Sequence, residues 1–430
     1  MYRTRISGFS LVELLVAMVI GLIGSIIIFQ VYAGFEGQRR VTTGGGDAAT
    51  NLAAATNALL QAGHDAGYGL NFSTHLGCAA IGWQEYADPA VVPHVAGKIF
   101  RTRLEPVSIV RAPTGELLSL SFTRNSNDNS YSVTKLMSPM LDPVAPGGPP
   151  TAASTEAPLC LENMFGINKG DVLVLSEHKA TDTGVKSKKF TCAVIQVRNI
   201  RADPACKNPV IEHDYGSYTS SDPAVAGTFY TYFNKPGGLG TIPDSGASGA
   251  DLISLTPAPP LSWLIDSPVS DAPKLFTYKA QASVMNVGPA KGKFGLGLQT
   301  TTFTLQNGQL LESNFPLVDG IVFMDAQFGS ASTPSATAPT LTYSKVLPEN
   351  PANDPKIAQD TWFSLRTVRV VLITKSSQPD KDYNSPATLT AWSADGPGLQ
   401  STYTIPPADR MYRHKIVELV IPLRNMFWRP

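Results

Sequence analysis

One long apolar stretch near the N-terminus constrains this 430-residue chain more than any other feature. Between Phe9 and Phe35 the sequence contains a single charged residue, Glu13. A helix of that length measures about 40 Å and can cross the apolar core of a bilayer, which is about 30 Å thick. Because a carboxylate inside such a segment costs on the order of 3 kcal/mol, Glu13 calls for a cationic partner. The sequence therefore predicts a transmembrane helix over 9–35 that carries one functional acid.

The residues that precede this stretch form a specific pattern. Residues 1–8 contain two arginines and end in Gly8, and Glu13 is the fifth residue counted from Phe9. This pattern resembles the class III signal of type IV pilins, in which a prepilin peptidase cuts after a glycine and the new N-terminal residue is methylated. The resemblance implies a leader over 1–8, cleavage between Gly8 and Phe9, and N-methylation of Phe9.

An ordinary secretory signal peptide or a plain signal anchor is the alternative for the same stretch. A secretory signal peptide has a shorter apolar run, followed by a small-residue cleavage site, whereas here the small residue precedes the run. A plain anchor has no need for Glu13. We therefore favour the pilin-type signal. We take a cytoplasmic N-terminus from the resemblance, since basic residues lie on both sides of the stretch and do not decide its orientation.

The predicted helix carries two features suited to assembly. Cleavage would create a free amine at Phe9, and pairing it with Glu13 of a neighbouring subunit would neutralise both charges and fix the axial register of the subunits. Ala17, Gly21 and Ser25 recur every four residues, which predicts a small-residue face for close helix packing.

The helical spacing of apolar residues continues beyond the membrane segment, to about residue 65. Gly44, Gly45 and Gly46 interrupt it, and each glycine inside a helix costs about 1 kcal/mol. We therefore expect a helix over 9–65 that is broken near these glycines.

From residue 66 onward, period-two strand patterns alternate with turn residues. Only 16% of the residues are charged, while the chain contains 36 glycines and 34 prolines, which favours many turns over long helices. Strands are predicted at 107–111, 117–123 and 131–136, as neighbours of one another. The predicted fold class is α+β, with the long helix packed on a large antiparallel β-rich head over 66–430 that has long loops.

Three blocks in the C-terminal part, over about 316–430, carry a second resemblance. In chain order they are an Asp319-Gly320 step before a hydrophobic strand that ends in Gln327-Phe328-Gly329, a strand with the spaced arginines Arg366 and Arg369, and a closing strand that ends in Leu423-Arg424-Asn425. Together with the N-terminal signal they look like the PilW family of type IV minor pilins. The resemblance does not cover about 75–315, which is longer and richer in loops than a minimal pilin head.

The chain has four cysteines, Cys78, Cys160, Cys192 and Cys206. An even number in a domain expected outside the cytoplasm favours two disulfides. We favour Cys192–Cys206, because the short segment between them contains Asn, Asp and Pro and can turn back, which leaves Cys78–Cys160. Free buried thiols are the alternative.

No catalytic or metal-binding pattern is present in the sequence. It has no nucleophile elbow, no P-loop and no C-x-x-C, and its six histidines are scattered. Asp380, Asp382 and Asn384 have the spacing at the start of a calcium loop, but the glycine and final glutamate of such a loop are missing, so we expect a solvated turn. The formal net charge of zero gives no reason to expect direct nucleic-acid binding. We predict a structural protein without enzymatic activity, cofactor or metal.

The resemblance implies a minor pilin of the bacterial inner membrane with its head in the periplasm, later part of a pilus at the cell surface. Its implied partners are the prepilin peptidase, other minor pilins, the major pilin and the inner-membrane assembly platform. A type II secretion pseudopilin shares the same N-terminal signal and is one alternative. The other is a pilus-tip adhesin that binds a surface, a glycan or DNA through the enlarged middle region.

Overall fold

The computed structural model describes residues 10–70, 79–84, 98–125, 133–137, 158–176, 191–204, 206–220, 227–234, 252–254, 283–290, 298–331, 340–347, 364–380, 383–396 and 398–426. Its first element is one helix, α1 (Leu11–Asp65). The strands of the described residues are β1 (Ala79–Gln84), β2 (Lys98–Arg103), β3 (Val107–Arg111), β4 (Leu117–Asn125), β5 (Val133–Lys135), β6 (Leu159–Cys160), β7 (Asp171–Ser176), β8 (Thr191–Gln196), β9 (Asn199–Arg201), β10 (Val210–Glu212), β11 (Ser217–Thr219), β12 (Thr228–Tyr230), β13 (Leu252–Ser254), β14 (Ser283–Pro289), β15 (Leu298–Gln306), β16 (Gln309–Glu312), β17 (Phe315–Asp319), β18 (Ile321–Ala331), β19 (Leu341–Ser344), β20 (Leu365–Lys375), β21 (Thr388–Ala391), β22 (Ser401–Thr404) and β23 (His414–Pro422). Two 3₁₀ turns, Pro407–Asp409 and Arg424–Met426, flank β23.

The helix is continuous through Gly44, Gly45 and Gly46, so the predicted break is wrong. Gly44 lies against the head, where a Cβ atom would be 3.3 Å from Oγ of Ser377. From this point to its end, α1 packs on the sheets of the head, and tertiary packing of this kind outweighs a few kcal/mol of unfavourable helix propensity.

Two antiparallel sheets support the helix. One has five strands in the order β17-β16-β15-β4-β3, and the other has four strands in the order β19-β18-β20-β23. Their helix-facing side chains form one core with Leu52, Ala55 and Leu59 of α1. A hairpin of β21 and β22 covers the far side of the four-stranded sheet. We call α1, β3, β4 and β15–β23 the framework.

The middle of the chain is an insertion into the framework. Strands β4 and β15 pair side by side with Asn125 opposite Leu298, so the chain leaves and returns at one point of the ladder. Residues 126–297 therefore occupy the place of a hairpin turn. They form a seven-stranded sheet, β13-β2-β1-β8-β7-β14-β5, with β1 and β2, and a three-stranded sheet, β6-β10-β9. We call β1, β2 and β5–β14 the module.

The module shares its interior with the framework. Val172, Val174, Val194 and Met285 point from one face of the seven-stranded sheet into the core that contains α1. The other face, with Leu173 and its neighbours, forms a second core beneath the three-stranded sheet. The module is therefore packed onto the framework over a broad apolar surface.

The insertion explains one error of strand order. Strands β3 and β4 pair as predicted, but β5, from the third segment predicted beside them, pairs with β14 in the module. Strand β5 follows β4 in sequence but does not pair with it, because the insertion begins between these two strands. The predicted fold class, a long N-terminal helix on a large antiparallel β-rich head, is confirmed.

The favoured disulfide pairing Cys192–Cys206 is wrong. Cys160 is bonded to Cys206, with a Cα–Cα distance of 6.0 Å. Val210 pairs with Cys160 across β10 and β6 and brings the preceding turn beside Cys160. Cys192 points from the opposite face of the seven-stranded sheet into the core that holds α1; it too is disulfide-bonded. Cys78 lies outside the described residues.

Candidate assembly site: the helix and its seat on the head

The first turn of α1 is closed by a reciprocal pair of hydrogen bonds. The backbone N–H of Glu13 donates to Oγ of Ser10 at 3.2 Å, and the backbone N–H of Ser10 donates to Oε2 of Glu13 at 3.0 Å. This capping box satisfies two N–H groups and places the carboxylate at the positive end of the helix dipole. The carboxylate of Glu13 therefore lies at the N-terminal end of α1. Gly8 and Phe9 lie outside the described residues, so their predicted roles stay predictions.

The N-terminal half of α1 has no cover in the single chain. The segment Leu11–Glu36 is the one helix in the described residues that is long and apolar enough to cross a membrane. Its large apolar side chains are exposed, for example Leu11 at 79% and Phe29 at 73%. Burial of this surface in lipid or against other apolar helices is strongly favourable.

The small-residue face lies within this exposed segment. Ala17, Gly21 and Ser25 fall on successive turns, and Oγ of Ser25 donates to the carbonyl of Gly21 at 2.8 Å. The hydroxyl is thereby satisfied within the helix and needs no polar partner. No atom lies within 4 Å of a Cβ built on Gly21, so this face is open to another helix.

The C-terminal half of α1 is seated on the head. Nδ2 of Asn51 donates to the carbonyl of Asp319 at 3.1 Å, at the end of β17. One full helical face then enters the core through Leu52, Ala55 and Leu59. At Gly63 a Cβ atom would overlap the side chain of Ile421 on β23, so any larger residue there would require Ile421 to move.

The closing residues of the chain hold the end of the helix. Nδ2 of Asn425 donates to the carbonyls of His64 at 2.9 Å and Ala66 at 3.2 Å. A helix leaves its last four carbonyls without internal partners, and Asn425 serves two carbonyls at this end. Gly67 follows at φ +75° and donates from its N–H to the carbonyl of Thr123 at 2.8 Å. The helix end is thus tied to both the chain terminus and β4.

Each residue of the Gln-Phe-Gly step in β18 has a structural role of its own. Gln327 lies directly opposite Arg369 on β20 and its Oε1 accepts two bonds from the guanidinium, at 3.1 and 2.6 Å. Phe328 points into the core beneath α1. A Cβ atom at Gly329 would overlap Oγ1 of Thr367 on the neighbouring strand. The step therefore joins the two central strands of the four-stranded sheet.

Arg369 also fixes the cover of that sheet. Its guanidinium carbon lies 3.9 Å from the ring centre of Tyr343 and 4.3 Å from that of Trp392. Its Nη2 forms an ion pair with Asp395 at 2.5 Å. Sequence reasoning found the spaced arginines but missed these aromatic and acidic partners. They lie on β19 and beyond the end of β21, so no local pattern links them to Arg369.

The described residues contain no group of three or more His, Cys, Asp or Glu side chains that could hold a metal ion. Asp380, at the start of the calcium-like spacing, is bound by Arg413 at 2.8 Å. Asp382 lies outside the described residues. The hydrogen bonds and packing described for these residues hold the helix on the head.

Comparison with known proteins gives matches at both ends of the chain. Residues 296–425 match the family described as type IV pilus-assembly protein W, PilW. Residues 3–29 match the prokaryotic N-terminal methylation motif. The resemblance inferred from the sequence is confirmed over these two ranges. The PilW match begins beside Leu298, where the insertion returns to the framework.

A type IV-like pilin from Thermus thermophilus is similar in structure, with 10% identity and a TM-score of 0.19. The match covers 30% of this chain and 66% of that chain, just under two thirds. At this score it adds nothing to the fold described above. No protein among those with curated descriptions matches the chain.

Proposed function

We propose that this pilin-like type IV pilus-assembly protein, with its N-terminal methylation motif, acts as a minor pilin in the priming or tip complex of a pilus. It is a structural subunit without enzymatic activity. One observation carries the proposal: the exposed half of α1 leaves one end of the framework, and the module is joined at the other end, where α1 stops at Asp65.

In this proposal, residues 1–8 are a leader, 9–65 form the assembly helix, and 66–430 form the head. The prepilin peptidase cuts between Gly8 and Phe9, and Phe9 is methylated. Before assembly the chain spans the inner membrane once, with its N-terminus in the cytoplasm and its head in the periplasm. Its exposed apolar segment supports an exchange of lipid contacts for helix contacts with the major pilin and other minor pilins.

The charge pair gains support from the capping box. Glu13 is turned toward the N-terminal end of α1, and its Oε2 accepts a bond from Ser10. A carboxylate accepts several hydrogen bonds at once, so a neighbour's Phe9 amine could join it without breaking the cap. The pair would neutralise two charges at the same depth in the apolar core.

The place of the module supports an end position in the pilus. If subunits stack along their helices, the next subunit away from the membrane would meet the far end of α1. The hydrogen bond from the N–H of Asn125 to the carbonyl of Tyr68, at 2.8 Å, puts the insertion point at that end. The module would thus occupy the space that a following head requires.

The test uses a tagged full-length chain in a piliated host. Glu13→Val should leave the head folded but remove the protein from sheared pili, whereas Glu116→Gln, an exposed charge in a head turn, should assemble normally. Labelled antibody should mark pilus ends. Normal incorporation of Glu13→Val, or labelling along the whole shaft, would contradict the assembly or the tip proposal respectively.

Two rivals predict different phenotypes. A type II secretion pseudopilin would, when deleted, abolish secretion and leave surface pili intact; the minor pilin predicts the reverse. A tip adhesin would show saturable binding of a surface, a glycan or DNA by the purified protein, with assembly unaffected by loss of the ligand. The PilW match favours the pilus over the secretion system.

A further inference from the structure

A buried polar network joins the module to the framework at the insertion point. Asn125, the last residue of β4, is 3% exposed, and its Nδ2 donates to the carbonyl of Asn286 at 2.9 Å. Asn286 lies where the register of β14 against β7 shifts. Asn125 also donates from its backbone to Tyr68, just beyond the end of α1. The network therefore touches the helix end, the framework and the module together.

Both polar atoms of the Asn286 side chain form hydrogen bonds within the module. It is 2% exposed, and its Nδ2 donates to the carbonyl of Gly166 and to Oδ2 of Asp171, both at 2.8 Å. Its Oδ1 accepts the N–H of Gly288 at 2.8 Å. A change at Asp171 is therefore transmitted to the residue that Asn125 holds.

Asp171 is the ionisable group of this network. It is 4% exposed, and its Oδ2 also accepts the N–H of Asn168 at 2.8 Å. Within the described part of the chain no Lys, Arg or His forms an ion pair with it. Tyr218 is a titratable neighbour of Asp171. Burial raises the pKa of its phenol to about 12, so the phenol is neutral at acidic and neutral pH. A carboxylate buried without a cation is costly, so the site favours the neutral acid.

We propose that Asp171, Asn286 and Asn125 form a proton-sensitive clamp, which holds the module more tightly to the framework when the carboxyl of Asp171 is neutral. Burial raises the pKa of this carboxyl to about 6, against the lowering effect of the hydrogen bonds from Asn168 and Asn286. Since the pKa lies above its ordinary value of 3.8, the stabilisation is complete below about pH 4 and is lost as the pH rises through about 6. The clamp tightens in mild acid and loosens at neutral pH.

Hydrogen exchange of the purified full chain in detergent tests the clamp. After correction for intrinsic rates, protection of the amides of β7 and β14 should fall about tenfold for each pH unit between about pH 4 and pH 6, and level off above. Protection of β20, within the framework, serves as the internal reference. Asp171→Asn, a neutral side chain of the same shape, should hold the acid level of protection at every pH, while Glu116→Gln should follow the wild type.

Equal protection of β7 and β14 at pH 5 and pH 7.5 in the wild type would overturn the proposal. So would a full pH response in Asp171→Asn. If that variant does not fold, the wild-type profile decides alone. A fall in protection that levels off near pH 6 and is confined to β7 and β14 supports the clamp, whereas a fall shared equally by β20 contradicts it.

Discussion

The side-chain amide of Asn425 donates to the backbone carbonyl of His64 at an N–O distance of 2.9 Å, so the end of the chain completes the end of its first helix. We predict that Asn425→Ala lowers the free energy of unfolding by about 1–2 kcal/mol, because two half-buried carbonyls lose their donor. Urea unfolding of the full chain in detergent measures this. Asn57→Ala, on the exposed face of the same helix, should cause no loss. Equal effects of the two substitutions would show that Asn425 is not a specific cap.

The approach of α1 to β23 predicts opposite effects for two glycines of one helix. Gly63→Ala should destabilise the protein by about 1–3 kcal/mol, because the new methyl overlaps Ile421. Gly45→Ala should stabilise it by about 1 kcal/mol, because nothing lies within 4 Å of that position. Thermal unfolding ranks the variants. Adding Ile421→Ala to Gly63→Ala should cost less than the sum of the two single changes; simple additivity would refute the contact.

The guanidinium of Arg369 joins two rings, an amide and a carboxylate, which an ammonium group cannot reproduce. Arg369→Lys should therefore lower the free energy of unfolding by about 1–3 kcal/mol. The β21–β22 hairpin should detach before the rest of the sheet unfolds, and a change in the fluorescence of Trp392 would report this. Arg424→Lys, at an exposed arginine, is the matched control. If Arg369→Lys unfolds at the wild-type denaturant concentration, the stacked arrangement contributes nothing to stability.

The bond between Cys160 and Cys206 closes a loop within the module. Replacing both cysteines with serine should lower stability by about 2–4 kcal/mol, and hydrogen exchange should place the loss in β6, β9 and β10, with α1 unaffected. Peptide mapping of the unreduced wild type provides the direct check. A linked peptide pair holding Cys192 and Cys206 would disprove the connectivity.

The sequence was sufficient for the parts of the fold that depend on local patterns. Periodicity and turn residues alone predict the apolar helical segment around Glu13, the docked helical face through Leu52 and Leu59, and the strand pair β3–β4. The continuous helix at Gly44 could not be predicted, because the loop at Ser377 that packs against it is remote in sequence. The β4–β15 pairing could not be predicted for the same reason, because contacts across 126–297 leave no local signal.

Of the candidate site, the sequence identified residues but missed their partners. Gln327 and Arg369 stood out as parts of a pattern, yet only the register of β18 and β20 shows that they face each other. Asn425 was identified as the last residue of the closing Leu-Arg-Asn motif, but nothing in the sequence indicates that its side chain reaches His64. The clamp at Asp171 left no trace in the sequence, because its two distinguishing features arise only in the fold. Asp171 is buried, and unlike the similarly buried Asp325, which pairs with Arg111, it has no ion pair among the described residues.

Mass spectrometry of the intact protein, extracted from membranes of a host with prepilin peptidase, tests most directly whether this chain is a processed pilin subunit. We predict a polypeptide that begins at Phe9, shortened by residues 1–8 and carrying one methyl group on its N-terminal amine. A mature chain that still begins at Met1, or one that begins beyond Phe35 without the apolar helix, would contradict it.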